Sequence, residues 1–460
     1  MSKPGAGVIA VMLVTLAGCF GGHPIAAGSS GPSSQIASIT LAPAALTLQN
    51  PATRGGAAAH ARIKVSLTLT NQAGARITSG TLAQPIRISV YGPSPAVLTA
   101  ETPVIKSATS AVYFDYNGRF LANPVIATAV SGHAFAQMSL QPRQRGFAGS
   151  SSVTFPMTSR NNIAHGWGFQ ASVGGGPQHF VEMDTGSRGL VVPASILGRG
   201  AVGPGAAGKI TYTSDGKEFL GHYYLAPLTL SAGGSMARTV PIRVLAVDKS
   251  ACVSGYPKCR PGKIGGLGVM GVGFDRGQAS SMPPELTNAF LAITGVNAGS
   301  MHPGYIIRRR SVTLGITVGD QTGFNELPLT GGGTGPGDWN TAPGCFSFPR
   351  LSTYPRQCGT VLVDTGIASA ILGLPKSKRP ASIRTSIPNG TPIRVNVGLG
   401  SGPSALSFGF TTGATAQPLT PTSIRWAGGS APFVNTGRHP IALYDYLFDA
   451  GSGKVGFRAG

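Results

Sequence analysis

Two short stretches of this chain repeat one pattern, and the repeat limits the folds open to it. Asp184-Thr185-Gly186-Ser187 and Asp364-Thr365-Gly366-Ile367 share an Asp-Thr-Gly core. Each follows an apolar-leaning run, His179 to Met183 and Thr360 to Val363, and each precedes another, Leu190 to Pro193 and Ala370 to Pro375. Apolar runs on both sides of a tight Asp-Thr-Gly turn predict strand, turn, strand, with Asp at the end of a buried sheet. Glycine allows close backbone approach there. Two such units predict a pseudo-two-fold pair of lobes, each giving one carboxylate to a shared cleft. Composition agrees with a mostly β chain. Gly (68) and Pro (36) are plentiful and only 11% of the 460 residues are charged. That favours many short strands over helix bundles.

The start reads as an export signal rather than structure. Lys3 supplies the positive end, and Val8 to Leu16 an apolar core too short to span a bilayer comfortably. It runs into Leu16-Ala17-Gly18-Cys19, which resembles a bacterial lipobox. That resemblance implies a signal over 1–19, lipidation of Cys19 and a lipid-anchored protein of the cell envelope. Phe20, rather than Asp, follows Cys19 and points to the outer membrane; an ordinary signal peptide cut nearby is the rival reading. Residues 20–35 are rich in Gly, Ser, Ala and Pro and read as a flexible tether. Setting Cys19 aside leaves four cysteines. Local closure costs least entropy, so the expected disulfides are Cys252–Cys259 and Cys345–Cys358. Zinc is disfavoured because no histidine lies near either pair.

The formal charge is +21, which favours anionic surfaces. The basic residues are scattered, however, and the one tight run, Arg308-Arg309-Arg310, reads as a solvated strand edge. No nucleic-acid module is present. Residues 36–141 form a separate β unit by pattern. Ile63, Val65, Leu67 and Leu69 alternate with polar residues, as do Ile86, Ile88 and Val90. About seven short strands, with a tight turn at Asn117-Gly118, suggest an immunoglobulin-like sandwich. Residues 142–152 read as a linker, and 153–460 as one large β unit.

The two Asp loops resemble those of pepsin-like aspartic proteases. Further matches follow in family order: Lys209 to Tyr212 with the flap, Gly268 to Phe274 with the close of the first lobe, and Ser311 to Gly315 with entry to the second. Pro432 to Val434 and the tail Leu447 to Phe457 resemble the family's ending. The resemblance implies a bilobal fold, with a first lobe over 153–310 and a second over 311–460. It makes Asp184 and Asp364 the catalytic pair. Thr185 and Thr365 would brace the loops, Gly186 and Gly366 would shape them, Ser187 would hydrogen-bond Asp184, and Tyr212 would be the flap tyrosine. Asp449-Ala450-Gly451, a third partial copy, falls in the structural tail.

Three positions depart from the family pattern. Ile367 replaces a hydroxyl residue and cannot hydrogen-bond Asp364, which implies a pH optimum less acidic than a gastric enzyme's. Val191 stands where a Trp bonded to the flap tyrosine is usual. Asn435 is placed at a usual glycine.

The activity this implies is endopeptidase cleavage of protein or peptide segments by water activated between two carboxylates. It needs no metal, no cofactor and no nucleic acid, and the chain is expected to be a monomer. No Gly-x-Ser-x-Gly elbow offers a serine nucleophile. The alternative, from another class, is a non-catalytic surface-binding lipoprotein that uses the same cleft. A third reading is processing of its own chain near the linker.

Overall fold

A computed structural model describes residues 34–460 except 52, 54, 57, 93–96, 143–148, 158–162, 213–215, 277–281, 334–337 and 400–403. The export segment with Cys19, nearly all of the tether and the middle of the 142–152 linker lie outside the described residues. Among those described, no helix is long and apolar enough to cross a membrane.

The N-terminal unit is a two-sheet β-sandwich. One sheet holds Ser38–Ala42, Ala61–Thr70, Ala111–Tyr116 and Leu98–Ala100; the other holds Ala45–Leu48, Ala134–Pro142, Val125–Ser131, Thr81–Tyr91 and Val104–Ser107. The period-two alternation sets this up. Ile63, Val65, Leu67 and Leu69 are all buried, as are Ile86 and Ile88, and together they fill the core between the sheets. Among the described residues nine strands are present where the pattern suggested about seven, because segments as short as Leu98–Ala100 are too brief to show a period. Asn117-Gly118 is a turn, but not that of a hairpin. Asn117 Oδ1 accepts the Arg119 N–H at 2.9 Å, and the chain then crosses to the other sheet.

The remainder is built twice over. Among the described residues the first lobe is a nine-stranded sheet and the second a seven-stranded one. In each, the strand entering the Asp loop and the strand leaving it are separated by a third strand that arrives later in sequence. In the first lobe Val269–Val272 lies between His179–Asp184 and Arg188–Pro193, parallel to the first and antiparallel to the second. In the second, Phe433–Asn435 lies in the same way between Gln357–Leu362 and Ala370–Gly373. A six-stranded sheet underlies both lobes and draws strands from 153–156, 302–316, 325–328 and 444–459. The turn after Arg308 belongs to a hairpin of this shared sheet, where Arg309 and Arg310 are exposed. One apolar core runs through both lobes and the shared sheet, from Trp167 and Phe169 to Phe346 and Phe448. The architecture is thus mostly β and bilobal, as the pepsin-like resemblance implied. Both expected disulfides are present, Cys252–Cys259 and Cys345–Cys358.

The sandwich is seated on the first lobe by polar contacts to backbone. Asn123 Nδ2 donates to the carbonyls of Val296 and Met301, at 2.8 and 3.0 Å. Gln137 Nε2 donates to Pro241 O at 2.9 Å. Beside them the buried Glu285 carboxylate accepts from Ser139 Oγ and Gln141 Nε2.

Candidate active site

Alternation along His179–Asp184 decides what reaches the cleft. Val181 and Met183 are fully buried in the core, so Glu182 and Asp184 face the other way. Before Asp364 the matching cleft-facing residue is Leu362. The interposed strands hold the two Asp loops where each strand pair splays apart.

The loops interlock through their threonines. Thr185 N–H donates to Thr365 Oγ1 and Thr365 N–H to Thr185 Oγ1, both at 3.0 Å. Each hydroxyl then donates across the junction, Thr185 Oγ1 to Val363 O at 2.6 Å and Thr365 Oγ1 to Met183 O at 2.8 Å. All four bonds are buried, with Thr185 2% and Thr365 0% exposed. The glycines set the spacing. A methyl group on Gly186 would lie within 2.5 Å of all three atoms of the Asp364 carboxyl. One on Gly366 would lie 2.5 Å from Asp184 Oδ1. Each glycine therefore leaves room for the opposite acid, and the two carboxyls face each other at the floor of one cleft.

Both carboxyls are held by donors. Gly186 N–H meets Asp184 Oδ1 at 2.7 Å and Ser187 Oγ meets Asp184 Oδ2 at 2.5 Å. Gly366 N–H meets Asp364 Oδ1 at 2.9 Å. Ile367 offers nothing to Asp364, as its side chain requires, but Asn435 Nδ2 donates to Asp364 Oδ2 at 2.6 Å. The expectation of an under-bonded Asp364 is thereby corrected. Its carboxyl is nonetheless pushed up to about 8, by burial first and by the Asp184 charge second, against the opposing bond from Asn435.

The placement of Asn435 at the family's glycine is also corrected. Asn435 pairs with Leu362 as Val269 pairs with Glu182, so Asn435 matches Val269. The glycine is Gly437, two residues on. Its φ is +62°, and a methyl there would strike Ser369 O at 2.4 Å, much as one on Gly271 would strike Arg188 N at 2.5 Å. A single sequence shows residue types but not the register that aligns the two strands.

The hairpin Ala207–Tyr212 with Lys217–Ala226 borders the cleft, and Tyr212, Lys217 and Phe219 line it. Tyr212 packs edge-on against Phe219, ring centroids 6.0 Å apart, in an apolar cluster that includes Val191 at the position where the family pattern has Trp. The cleft has a volume of about 780 Å³, and both Asp184 and Asp364 lie on its wall.

Glu182 also lines it, with one oxygen 3.3 Å from Nη2 of the largely buried Arg438. Burial pushes this carboxyl up to about 7, and Asp184 adds to the rise while Arg438 opposes it. Sequence reading passed over Glu182 as part of an apolar-leaning run, although its two-residue offset from Asp184 places it on the same face. Behind the first loop, Arg188 forms a fully buried ion pair with Asp338 at 2.7 Å. The tail aspartate, Asp449, is structural: it is buried and bonded to His302 at 2.6 Å.

Among the described residues, no three His, Cys, Asp or Glu side chains are grouped so as to hold a metal ion. No curated protein sequence matches the chain significantly. Among solved structures, the aspartic proteinase from Irpex lacteus matches with 15% identity and a TM-score of 0.45, covering 67% of this chain and 97% of that one. Residues 153–334 match the family model of the PE-PGRS C-terminal aspartyl peptidase-like domain. That segment holds the first lobe with Asp184, and the second loop, with Asp364, lies beyond it and is placed opposite by the threonine lattice.

Proposed function

We propose that this chain is an aspartic endopeptidase, and that Asp184 and Asp364 activate a water molecule for attack on a peptide bond. The observation that carries the reading is the apposition of the two carboxyls across Gly186 and Gly366, locked by Thr185 and Thr365. Two like charges this close in a buried site cannot both ionise cheaply, so the pair keeps one proton near neutral pH. The upward push on Asp364 comes first from its burial and second from the Asp184 charge. One carboxylate takes a proton from the water as it adds to the carbonyl carbon. The protonated partner hydrogen-bonds the carbonyl oxygen, and a proton then passes to the leaving nitrogen. The pair titrates as a unit, so base and acid belong to the dyad. Tyr212 and the hairpin that carries it would close over an extended substrate, whose backbone can pair with the hairpin's edge.

In the same proposal the N-terminal sandwich is a docked accessory unit, and Cys19 carries the lipid that holds the protein in the bacterial outer membrane. The test is direct. A form beginning after the tether is incubated with denatured casein from pH 3 to 8, beside Asp184→Asn and Asp364→Asn, with and without pepstatin. Cleavage by the parent protein alone, blocked by pepstatin, supports the reading. Equal products from all three proteins overturn it, and binding of casein without cleavage favours the surface binder. For the anchor, labelled palmitate incorporated by the full chain but not by Cys19→Ala is expected; equal labelling removes that part.

A further inference from the structure

The two halves of the dyad are built from unlike parts, and the difference singles out Asn435. On Asp184, Oδ1 takes a backbone N–H from Gly186 and Oδ2 takes a hydroxyl from Ser187. On Asp364, Oδ1 takes the matching N–H from Gly366, while the place of Ser187 is held by Ile367. Oδ2 takes its bond instead from Asn435, 71 residues further along the chain. The orientation of that amide is fixed by its other end. Asn435 Oδ1 accepts the Gly437 N–H at 2.9 Å, and a flipped amide would set N–H against N–H and oxygen against carboxylate. The residue that matches Asn435 in the first lobe is Val269, so nothing in the strand itself calls for an amide there. A buried amide is costly unless bonded, and the Asn435 amide is bonded at both ends, to the Asp364 carboxyl on one side and to the backbone of its own segment at Gly437 on the other.

We infer that Asn435 is a positioning residue for Asp364, taking over the task that Ser187 performs for Asp184. The inference rests on the peptidase reading for its kinetic consequence, though not for its structural one. A hydroxyl can turn to accept a bond from a protonated carboxyl, whereas an amide nitrogen only donates. Asn435 therefore favours the charged form of Asp364 at every pH, and it keeps the carboxyl plane facing Asp184.

The experiment compares the parent chain with Asn435→Val, Ile367→Ser and the double variant. Valine is the residue at the matching place and fits a strand. Two readouts are taken: the pH profile of kcat/KM on a casein-derived peptide, and titration of carbon-13-labelled aspartate carboxyls by NMR. Loss of the donor in Asn435→Val moves the alkaline limb, and the Asp364 titration with it, upward by about one pH unit, a tenfold change in the ionisation constant. Activity falls through kcat more than KM, and adding Ile367→Ser returns both the limb and kcat toward the parent. An unmoved limb in Asn435→Val, or a double variant as impaired as the single one, overturns the inference. Should the parent cleave nothing, the peptidase reading falls alone. The NMR titration still decides for Asn435, and an Asp364 curve unchanged by Asn435→Val counts against it.

Discussion

Replacing Thr185 by valine keeps the shape of the side chain and removes one oxygen. That oxygen accepts the Thr365 N–H at 3.0 Å and donates to Val363 O at 2.6 Å. Both partners are buried backbone groups, and a valine methyl takes the oxygen's place with no polar atom to offer them. Each orphaned group costs about 1–3 kcal/mol, so the variant loses about 2–6 kcal/mol. A typical domain is stable by only about 5–15 kcal/mol, which makes this loss a large share. In urea, at a slope of about 2 kcal/mol per molar, the midpoint drops by about 1–3 M. The loops also lose half their lattice, and a shift of about 1 Å between the carboxyls is enough for a roughly hundredfold fall in turnover. The assay pairs urea unfolding, followed by tryptophan fluorescence, with casein cleavage. Thr185→Ser, which keeps the oxygen, serves as the control and stays near the parent in both. A valine variant within about 0.5 kcal/mol of the parent, with unchanged turnover, would show that the lattice does not hold the loops together.

Three further outcomes follow from the same geometry. Asp364 and Glu182 keep protons up to about 8 and about 7, which the unfolded chain gives up near 3.8 and 4.5. The folded state thus binds more protons across that range, and stability falls as pH rises through it; thermal unfolding of Asp364→Asn over pH 4–8 should slope less than the parent, and equal slopes refute the assignment. Arg188→Met takes the guanidinium away from the fully buried Asp338 carboxylate and costs about 3–5 kcal/mol. Adding Asp338→Leu recovers part of that loss, as read from unfolding midpoints. Glu285→Ala strips the acceptor from Ser139 and Gln141 and lowers stability by about 1–3 kcal/mol. An unchanged midpoint there would mean that the sandwich does not depend on this contact.

Much of the site was legible in the sequence because its parts are short and local. The Asp-Thr-Gly turns, their apolar flanks and the cysteine pairs all act over short stretches, at most 13 residues for Cys345–Cys358, where period and spacing carry the information. The alternating runs of Ile63 to Leu69 and Ile86 to Ile88 gave away the sandwich for the same reason. What escaped was set by register between distant segments. Asn435 serves Asp364 only because the strand Phe433–Asn435 lies beside the strand Gln357–Leu362 in one alignment and not another. A shift of one residue would turn the amide to the other face. Ile367 was legible as a missing hydroxyl, but its replacement came from another strand. Glu182 was legible in principle, since period two ties its face to that of Asp184, and it was masked by the hydrophobic company it keeps. The bond from Asn123 to Val296 joins residues 173 apart, and neither end carries a local sign of the other.

The threonine lattice sets when the cleft can come into being during synthesis. Its two halves are 180 residues apart in the chain, and the amide that steadies the second acid is made 71 residues later still. The shared sheet beneath them then waits for the strand Lys454–Ala459, which fills the space between Tyr444–Asp449 and Asn325–Pro328. A partly synthesised chain therefore holds one lone acid or two unsupported ones, and neither can share a proton across a closed floor. On the proposed peptidase reading, cutting power arrives only when these late strands are in place, and the growing polypeptide is spared its own future chemistry.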